Sequence, residues 1–198
     1  NVKLHYFEKL LQQSNDQPGT LAFGMRLFNI ILEHQKNQFV VNNIAQIENI
    51  LGPCLASENE CCIEDFCKFL AKVLQSFPLP CLHPGVQNVY NKIGELVDGS
   101  LKHMEKVALY NSLTVLTTIC KHHDRFLDKL APQLVKVVHK LAKDSLAAQQ
   151  LAKNRESQQE TERATAALIK SIRLLSIRIY ALNDLKKPFL QHMSTLID

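Results

Sequence analysis

The sequence predicts an all-α fold, specifically an α-solenoid of antiparallel helix pairs, and three observations lead to this prediction. Apolar residues recur with the 3.6-residue period of helices along most of the 198 residues, whereas the alternation typical of strands is hard to find. Hydrophobic residues make up 46% and charged residues 21%, with only 6 Gly and 7 Pro, which disfavours disorder, collagen and coiled coil. Two consecutive apolar helices early in the chain are each unable to bury their apolar surface alone, as in the unit of a solenoid.

The chain opens with an amphipathic pattern over residues 2–13. Leu4, Phe7, Leu10 and Leu11 share one helical face, which predicts a first helix.

Residues 17–53 predict a buried helical hairpin around which the rest of the chain is organised. A break at Pro18, a helix over 21–35, a short polar turn and a second helix ended by Gly52 and Pro53 make up this prediction. The first helix should be covered on more than one side, because its apolar residues spread over most of the circumference. These residues are Leu21, Phe23, Leu27, Phe28, Ile30, Ile31 and Leu32.

Further helices follow, and Pro132 predicts a break near Leu130 within one of them. The segment 145–163 is either an exposed helical extension or a mobile linker, because it has few large apolar residues. Pro188 is expected to separate the last two helices. The predicted helices cover residues 60–77, 85–101, 104–120, 123–143, 164–182 and the residues after Pro188.

About nine helices at 40 to 47 residues per pair predict four or so HEAT-like repeats. Residues 1–198 are therefore expected to form a single HEAT-like helical segment. The missing initial Met and the apolar pattern at the C-terminus suggest a piece of a much larger protein.

Charge and cysteine content favour an intracellular protein with a basic second half. The net charge is +4, and residues 121–187 hold 14 Lys and Arg against 7 Asp and Glu. The six cysteines come without any Asn-x-Ser/Thr sequon, which favours a reducing compartment. No run of about 18 uncharged apolar residues is present, so we expect no membrane span.

The sequence predicts no catalytic, cofactor-binding or metal-binding residues. Cys61, Cys62 and Cys67 are close in sequence, but on a helix they point in different directions and cannot converge on one ion. Two further Cys/His groups each offer about two ligands, whereas tetrahedral zinc needs about four. HExxH, GxSxG, P-loop and Rossmann glycine patterns do not occur, so we expect a protein that is not an enzyme.

One candidate protein-binding surface is predicted on the helix that begins near residue 164. It contains Lys170, Arg173, Leu174, Ile177 and Arg178, three cations beside two large aliphatic residues. This face would either pack on a neighbouring repeat or contact an acidic partner segment. The core stripe expected on the opposite side consists of Leu168, Ile169, Ile172, Leu175 and Ile179.

Three stretches carry a resemblance to a known family. FEKLL at Phe7–Leu11, the dense stretch from Gln17 to Ile47 and SFP at Ser76–Pro78 are similar to a helical-solenoid region of the transformation/transcription domain-associated protein family, particularly its plant-type members. The resemblance implies a HEAT-repeat fragment of a very large protein of the phosphatidylinositol-kinase-related group, whose kinase-like domain has lost its catalytic residues.

The same resemblance implies a function in the nucleus. Proteins of that family scaffold histone acetyltransferase co-activator complexes such as SAGA and receive transcription activators. We therefore expect a non-catalytic scaffold segment with other complex subunits, and activators, as partners, and without a cofactor, a small-molecule substrate or a membrane. The alternatives are a basic solenoid that binds nucleic acid and another intracellular HEAT-repeat adaptor.

Overall fold

A computed structural model describes residues 18–151 and 155–194, and every regular element within these two ranges is helical. The predicted all-α class is therefore confirmed for the part of the chain that is described. Two short 3-10 helices cover Asp124–Leu127 and Ile179–Ala181. The α-helices are α1 (Pro18–Asn42), α2 (Ile44–Ala56), α3 (Glu60–Ser76), α4 (Pro84–His103), α5 (Lys106–Cys120), α6 (Ala131–Leu151), α7 (Arg155–Arg178) and α8 (Asn183–Ser194).

The chain divides into two compact units at His123 and Asp124. None of the described helices combines the length and the hydropathy that crossing a bilayer requires. The helix predicted over residues 2–13 lies outside the described residues.

The first unit is built in two layers of helices. In one layer α1 packs against α3 and α3 packs against α5, while in the other layer α2 packs against α4. Helices α2 and α4 both also contact α5, which joins the two layers. This alternation of successive helices between two stacked layers is the arrangement of an α-solenoid.

Two ion pairs show how α1 and α3 are oriented. Arg26 Nε lies 3.2 Å from Asp65 Oδ2, and Lys72 Nζ lies 2.6 Å from Glu33 Oε1. Both pairs join residues that are 39 positions apart, so residue numbers rise in the same direction along both helices and α1 is parallel to α3. Since α2 connects the end of α1 to the start of α3, it runs back between them. The structure thus has a repeat of about 40 residues, close to the predicted spacing.

The predicted turn of the central hairpin is a bend within α1 rather than an interruption. The ring centroids of Phe28 and Phe39 lie 5.4 Å apart. Eleven residues of straight helix would separate their Cα atoms by about 16.5 Å, more than two phenyl side chains can span. We infer that the axis of α1 bends between these residues, where the sequence is polar. The interruption itself comes at Asn43, whose buried amide donates to the Phe39 carbonyl oxygen over 2.6 Å.

Only part of the α1 surface is covered. Phe28 is fully buried and packs on Phe69 of α3, with a ring separation of 5.9 Å. Phe23 is 55% exposed and Ile30 is 48% exposed. The expectation that α1 is covered on more than one side was wrong for this face, because the described helices that pack on α1 lie on its opposite side.

Two prolines that were predicted to end or separate helices lie inside them, and a third, Pro18, opens a helix. Pro18 is the first residue of α1, where the absent N–H has no intrahelical partner to lose. Pro53 lies inside α2, which continues to Ala56. Pro188 lies inside α8, and the chain leaves regular structure at Leu182 instead. In both interior cases the helix is short and the lost hydrogen bond affects a single turn, so the helix persists.

The second unit is organised around α6 and α7, which pack along each other. The predicted break near Leu130 is present, because the segment begins with the 3-10 helix and α6 starts at Ala131. Residues 145–151 and 155–163 are helical and belong to α6 and α7.

Candidate protein-interaction surface

The five residues of the predicted surface all belong to α7, but the structure keeps only three of them on its outer side. Arg173 is exposed, Ile177 is 50% exposed and Lys170 is half-buried. Leu174 is only 2% exposed and lies in the core, so its assignment to the surface was wrong.

Small residues explain the error at Leu174. Ala167 and Ser171 are 5% and 0% exposed and define the buried side of α7 together with Leu174 and Leu175. The Ser171 hydroxyl is satisfied there because it donates to the Ala167 carbonyl oxygen over 2.8 Å. A core stripe assigned from large aliphatic residues alone overlooks Ala167 and Ser171. The predicted stripe is therefore rotated around the helix axis relative to the side that is buried in the structure.

The same rotation brings Ile169 to the surface. The sequence placed Ile169 in the core stripe, but its side chain is 44% exposed. Ile169, Arg173 and Ile177 follow one another at four-residue intervals and therefore share one face of α7. Tyr180 follows in the short 3-10 helix and is 78% exposed. We call Ile169, Lys170, Arg173, Ile177 and Tyr180 the α7 outer face.

Arg178 is a structural residue of the second unit. Its Nε and Nη2 atoms donate to Asp128 Oδ1 and Oδ2, both over 2.9 Å, and Nη1 lies 3.6 Å from Asp124 Oδ2. The hydrogen bonds to Asp128 raise the pKa of the Arg178 guanidinium. The side chain of Arg178 is only 18% exposed, and all three of its guanidinium nitrogens contact carboxylates. Arg178 therefore does not belong to the α7 outer face.

Tyr180 was missed by the sequence analysis, although it lies eleven residues after Ile169 and so returns to the same side of a helix. Lys186 of α8 lies over its ring, with Nζ 5.3 Å from the ring centroid. This cation–π contact orients the exposed ring and adds a further positive charge beside the α7 outer face.

The cysteines form no metal centre in the described part of the chain. Across residues 18–151 and 155–194 no three His, Cys, Asp or Glu side chains gather as metal ligands. Cys61 is exposed while Cys62 is buried, as expected for neighbours on a helix. The partner of Cys62 is Cys54 of α2, which the sequence analysis did not identify.

The comparisons with known proteins cover the whole chain. A family model described as the Tra1 HEAT repeat ring region matches residues 1–198. The SAGA complex/NuA4 acetyltransferase complex subunit TRA1 of Saccharomyces cerevisiae is 28% identical over 211 residues, which cover 100% of this chain and 6% of the yeast protein. The transformation/transcription domain-associated protein of Homo sapiens is 18% identical over 213 residues, covering 98% of this chain and 5% of that protein.

A shorter match has higher identity. The probable transcription-associated protein 1 of Dictyostelium discoideum is 32% identical over 80 residues, or 40% of this chain and 2% of that protein. No solved structure is significantly similar to the chain. The chain therefore spans only a small fraction of the length of these relatives, and its likeness to the yeast and human proteins extends along nearly its whole sequence. All 198 residues match the family model, and the chain belongs to the family of Tra1 HEAT repeat ring regions.

Proposed function

We propose that this chain is a non-catalytic scaffold segment of a very large, pseudokinase-type co-activator subunit of histone acetyltransferase complexes, acting in the nucleus. The full-length match to the Tra1 HEAT repeat ring region is the observation that carries this proposal. The yeast relative is named as a subunit of two acetyltransferase complexes, SAGA and NuA4. Helices stacked in two layers, as in the first unit, suit a segment whose work is to hold shape and present surfaces to other subunits.

The α7 outer face is the surface that we propose for a partner. Ile169, Ile177 and Tyr180 are all at least 44% exposed, and Arg173 lies between the two isoleucines on the same face. Apolar side chains mixed with cations fit a partner segment that alternates acidic residues with hydrophobic ones. A transcription activator with an acidic, hydrophobic-punctuated segment has this chemistry.

Charge reversal tests the partner surface. In a Lys170→Glu/Arg173→Glu variant we expect a synthetic acidic peptide with interspersed Leu and Phe to bind at least about tenfold more weakly and with a flatter salt dependence. The melting temperature should change little, because Arg173 is exposed and Lys170 is only half-buried.

A matched control uses exposed lysines on another helix of the same unit. Lys136→Glu/Lys140→Glu on α6 makes the same change in net charge, and we expect it to leave peptide affinity within about twofold at moderate salt. If reversal on α7 lowers the melting temperature and leaves peptide binding unchanged, the face is covered by a neighbouring repeat of the larger protein instead. Equal losses in both variants would show a non-specific charge effect and reject the surface.

The scaffold role itself is tested by cross-linking mass spectrometry within the intact assembly. We expect lysines of this segment to cross-link to other subunits of an acetyltransferase complex. Cross-links confined to the parent protein would contradict a role in presenting surfaces to those subunits.

A further inference from the structure

Two buried thiols touch at the corner between α2 and α3. Cys54 lies near the end of α2 and Cys62 in the first turn of α3, and their Sγ atoms are 3.9 Å apart. Both side chains are 0% exposed. The corner itself is tight, because only residues 57–59 separate the two helices.

The two thiols are chemically unlike. The hydrogen bond between Cys62 and Cys54 lowers the pKa of the Cys62 thiol, with a smaller contribution from the Ser57 hydroxyl. The same contact and burial raise the pKa of Cys54. Cys62 is therefore the member of the pair that more readily becomes a thiolate, which is the reactive form of cysteine.

We propose that Cys54 and Cys62 are a peroxide-responsive pair that closes to a reversible disulfide. In the first step the Cys62 thiolate attacks one oxygen of a peroxide, the O–O bond breaks, and hydroxide leaves as Cys62 becomes a sulfenic acid. In the second step the Cys54 sulfur attacks the Cys62 sulfur, the S–O bond breaks, and water leaves with the Cys54 proton. For hydrogen peroxide the sum is two thiols and one peroxide giving one disulfide and two waters.

Geometry supports closure of this pair over a pairing with Cys61. The sulfur atoms need to approach by about 2 Å to reach a disulfide bond length. Cys61 and Cys62 are adjacent residues on a helix and point in directions about 100° apart, so Cys61 does not compete for the same contact. Burial keeps larger thiols such as glutathione away from the pair, whereas a small peroxide needs only a brief opening of the corner.

A disulfide here would fasten the end of one helix to the start of the next. It would close a loop from Cys54 to Cys62 and hold the α2–α3 corner, where one helix pair passes to the next along the stack. This device is independent of the proposed partner surface on α7.

Peptide mapping of the whole chain tests the proposal. The chain is treated with hydrogen peroxide, alkylated under denaturing conditions, digested and analysed by mass spectrometry. We expect alkylation of four of the six cysteines and a disulfide cross-link that joins Cys54 to Cys62. Dithiothreitol should remove this cross-link completely. Amide hydrogen exchange at residues 54–62 should slow in the oxidised chain.

Matched variants locate the reaction. Cys61→Ser should retain the cross-link, whereas Cys54→Ser should abolish it and leave Cys62 to oxidise further. If Cys54→Ser does not fold, peptide mapping of the wild-type chain still tests the proposal. Oxidation confined to Cys61, or a cross-link from any other pair, with Cys54 and Cys62 both still alkylated, would overturn the proposal.

Discussion

At the residue scale, the centre of the first unit is an aromatic contact. Phe28 is 0% exposed and lies between Phe39, across the bend of α1, and Phe69 of α3. Its ring therefore joins two parts of one helix and the neighbouring helix of the same layer. Removing it leaves a cavity that both helices would have to move to fill.

We accordingly expect Phe28→Ala to reduce the free energy of unfolding by about 3 to 5 kcal/mol. Ile30→Ala on the exposed side of the same helix should change it by less than about 1 kcal/mol. Ile31→Ala should fall between them, because Ile31 is half-buried. Urea denaturation measures all three, and a loss below about 1 kcal/mol for Phe28→Ala would show that this contact is not central.

Tyr90 gives the first unit a dependence on alkaline pH. It is fully buried, and its hydroxyl donates to the Phe77 carbonyl oxygen over 2.8 Å. Burial raises its pKa well above the ordinary value of 10.0. The folded chain thus keeps this proton where the unfolded chain releases it, so the stabilisation is complete below pH 10 and declines as pH rises above that value.

The measurement compares wild type with Tyr90→Phe. At about pH 8 the variant should be less stable by about 1 kcal/mol because the hydrogen bond is lost. At about pH 10.5 to 11 that difference should shrink, since only the wild type has the Tyr90 proton to lose. Tyr180→Phe serves as the control, because Tyr180 is 78% exposed. A gap between wild type and Tyr90→Phe that stays constant with pH would contradict this account.

The residues that could be read from the sequence are those whose burial follows from a strong apolar pattern. Phe66, Phe69, Val73 and Leu74 recur at helical spacing within the predicted helix 60–77, and all are buried. Leu174 was predicted on the surface and Ile169 in the core, and the structure shows the reverse. The buried side of α7 contains small residues, which a pattern of large hydrophobic residues does not detect. Small residues become informative only when the neighbouring helix is known to approach closely.

At the element scale, a bidentate ion pair between Arg178 and Asp128 connects α7 to the start of the second unit. Arg178 closes α7 and binds Asp128, which follows the 3-10 helix Asp124–Leu127. No periodicity connects residues that are 50 positions apart, so the sequence showed Arg178 only as one more cation on the helix.

We expect Arg178→Ala to lower the melting temperature measurably, because two hydrogen bonds are lost and a partly buried carboxylate is left without them. Arg173→Ala, four residues from Ile177 on the outer face, should leave it almost unchanged. Differential scanning calorimetry of both variants gives the comparison. Equal melting temperatures would mean that the Arg178–Asp128 ion pair does not stabilise the second unit.

Helix positions were predictable and helix ends were less so. The pattern located α3, α4 and α5 to within two residues at either end. The helix ends predicted from Pro53 and Pro188 were wrong, since both prolines lie inside helices. A proline removes one backbone hydrogen bond, and packing of the remaining turns can outweigh that single loss. The actual end of α1 depends on the Asn43 side chain, whose hydrogen bond to the backbone has no signature in composition.

At the scale of the whole molecule, the basic second half is the feature that favours the nucleic-acid alternative. On α6, Lys136, Lys140 and Lys143 are exposed and lie at helical spacing on one face. Exposed lysines alone attract any polyanion weakly, and no Phe, Tyr or Trp lies among them to stack on a base.

We therefore expect no binding of a generic duplex DNA tighter than about 10 µM at about 0.15 M salt. Fluorescence anisotropy across a salt series measures it, with Lys136→Glu/Lys140→Glu/Lys143→Glu as the comparison. A tight complex that weakens steeply with salt and is lost in this variant would favour the nucleic-acid function over the scaffold.

The family could be predicted from the sequence because one dense stretch, residues 17–47, carried the resemblance, and the family match over all 198 residues confirms it. The plant-type character of the resemblance stays a prediction. The two-layer stacking could be expected from helix spacing alone, but the parallel course of α1 and α3 became visible only through contacts between residues 39 positions apart.

Those two contacts also decide which way round the helices can associate. Along α1 the order of charge is positive then negative, Arg26 before Glu33, and along α3 it is negative then positive, Asp65 before Lys72. If α3 lay in the opposite direction, Arg26 would face Lys72 and Glu33 would face Asp65, so both attractions would become repulsions. A slip of one turn, about 5.4 Å, would separate Arg26 from Asp65. The two pairs therefore favour the parallel, in-register packing of α1 on α3 over an inverted or shifted one.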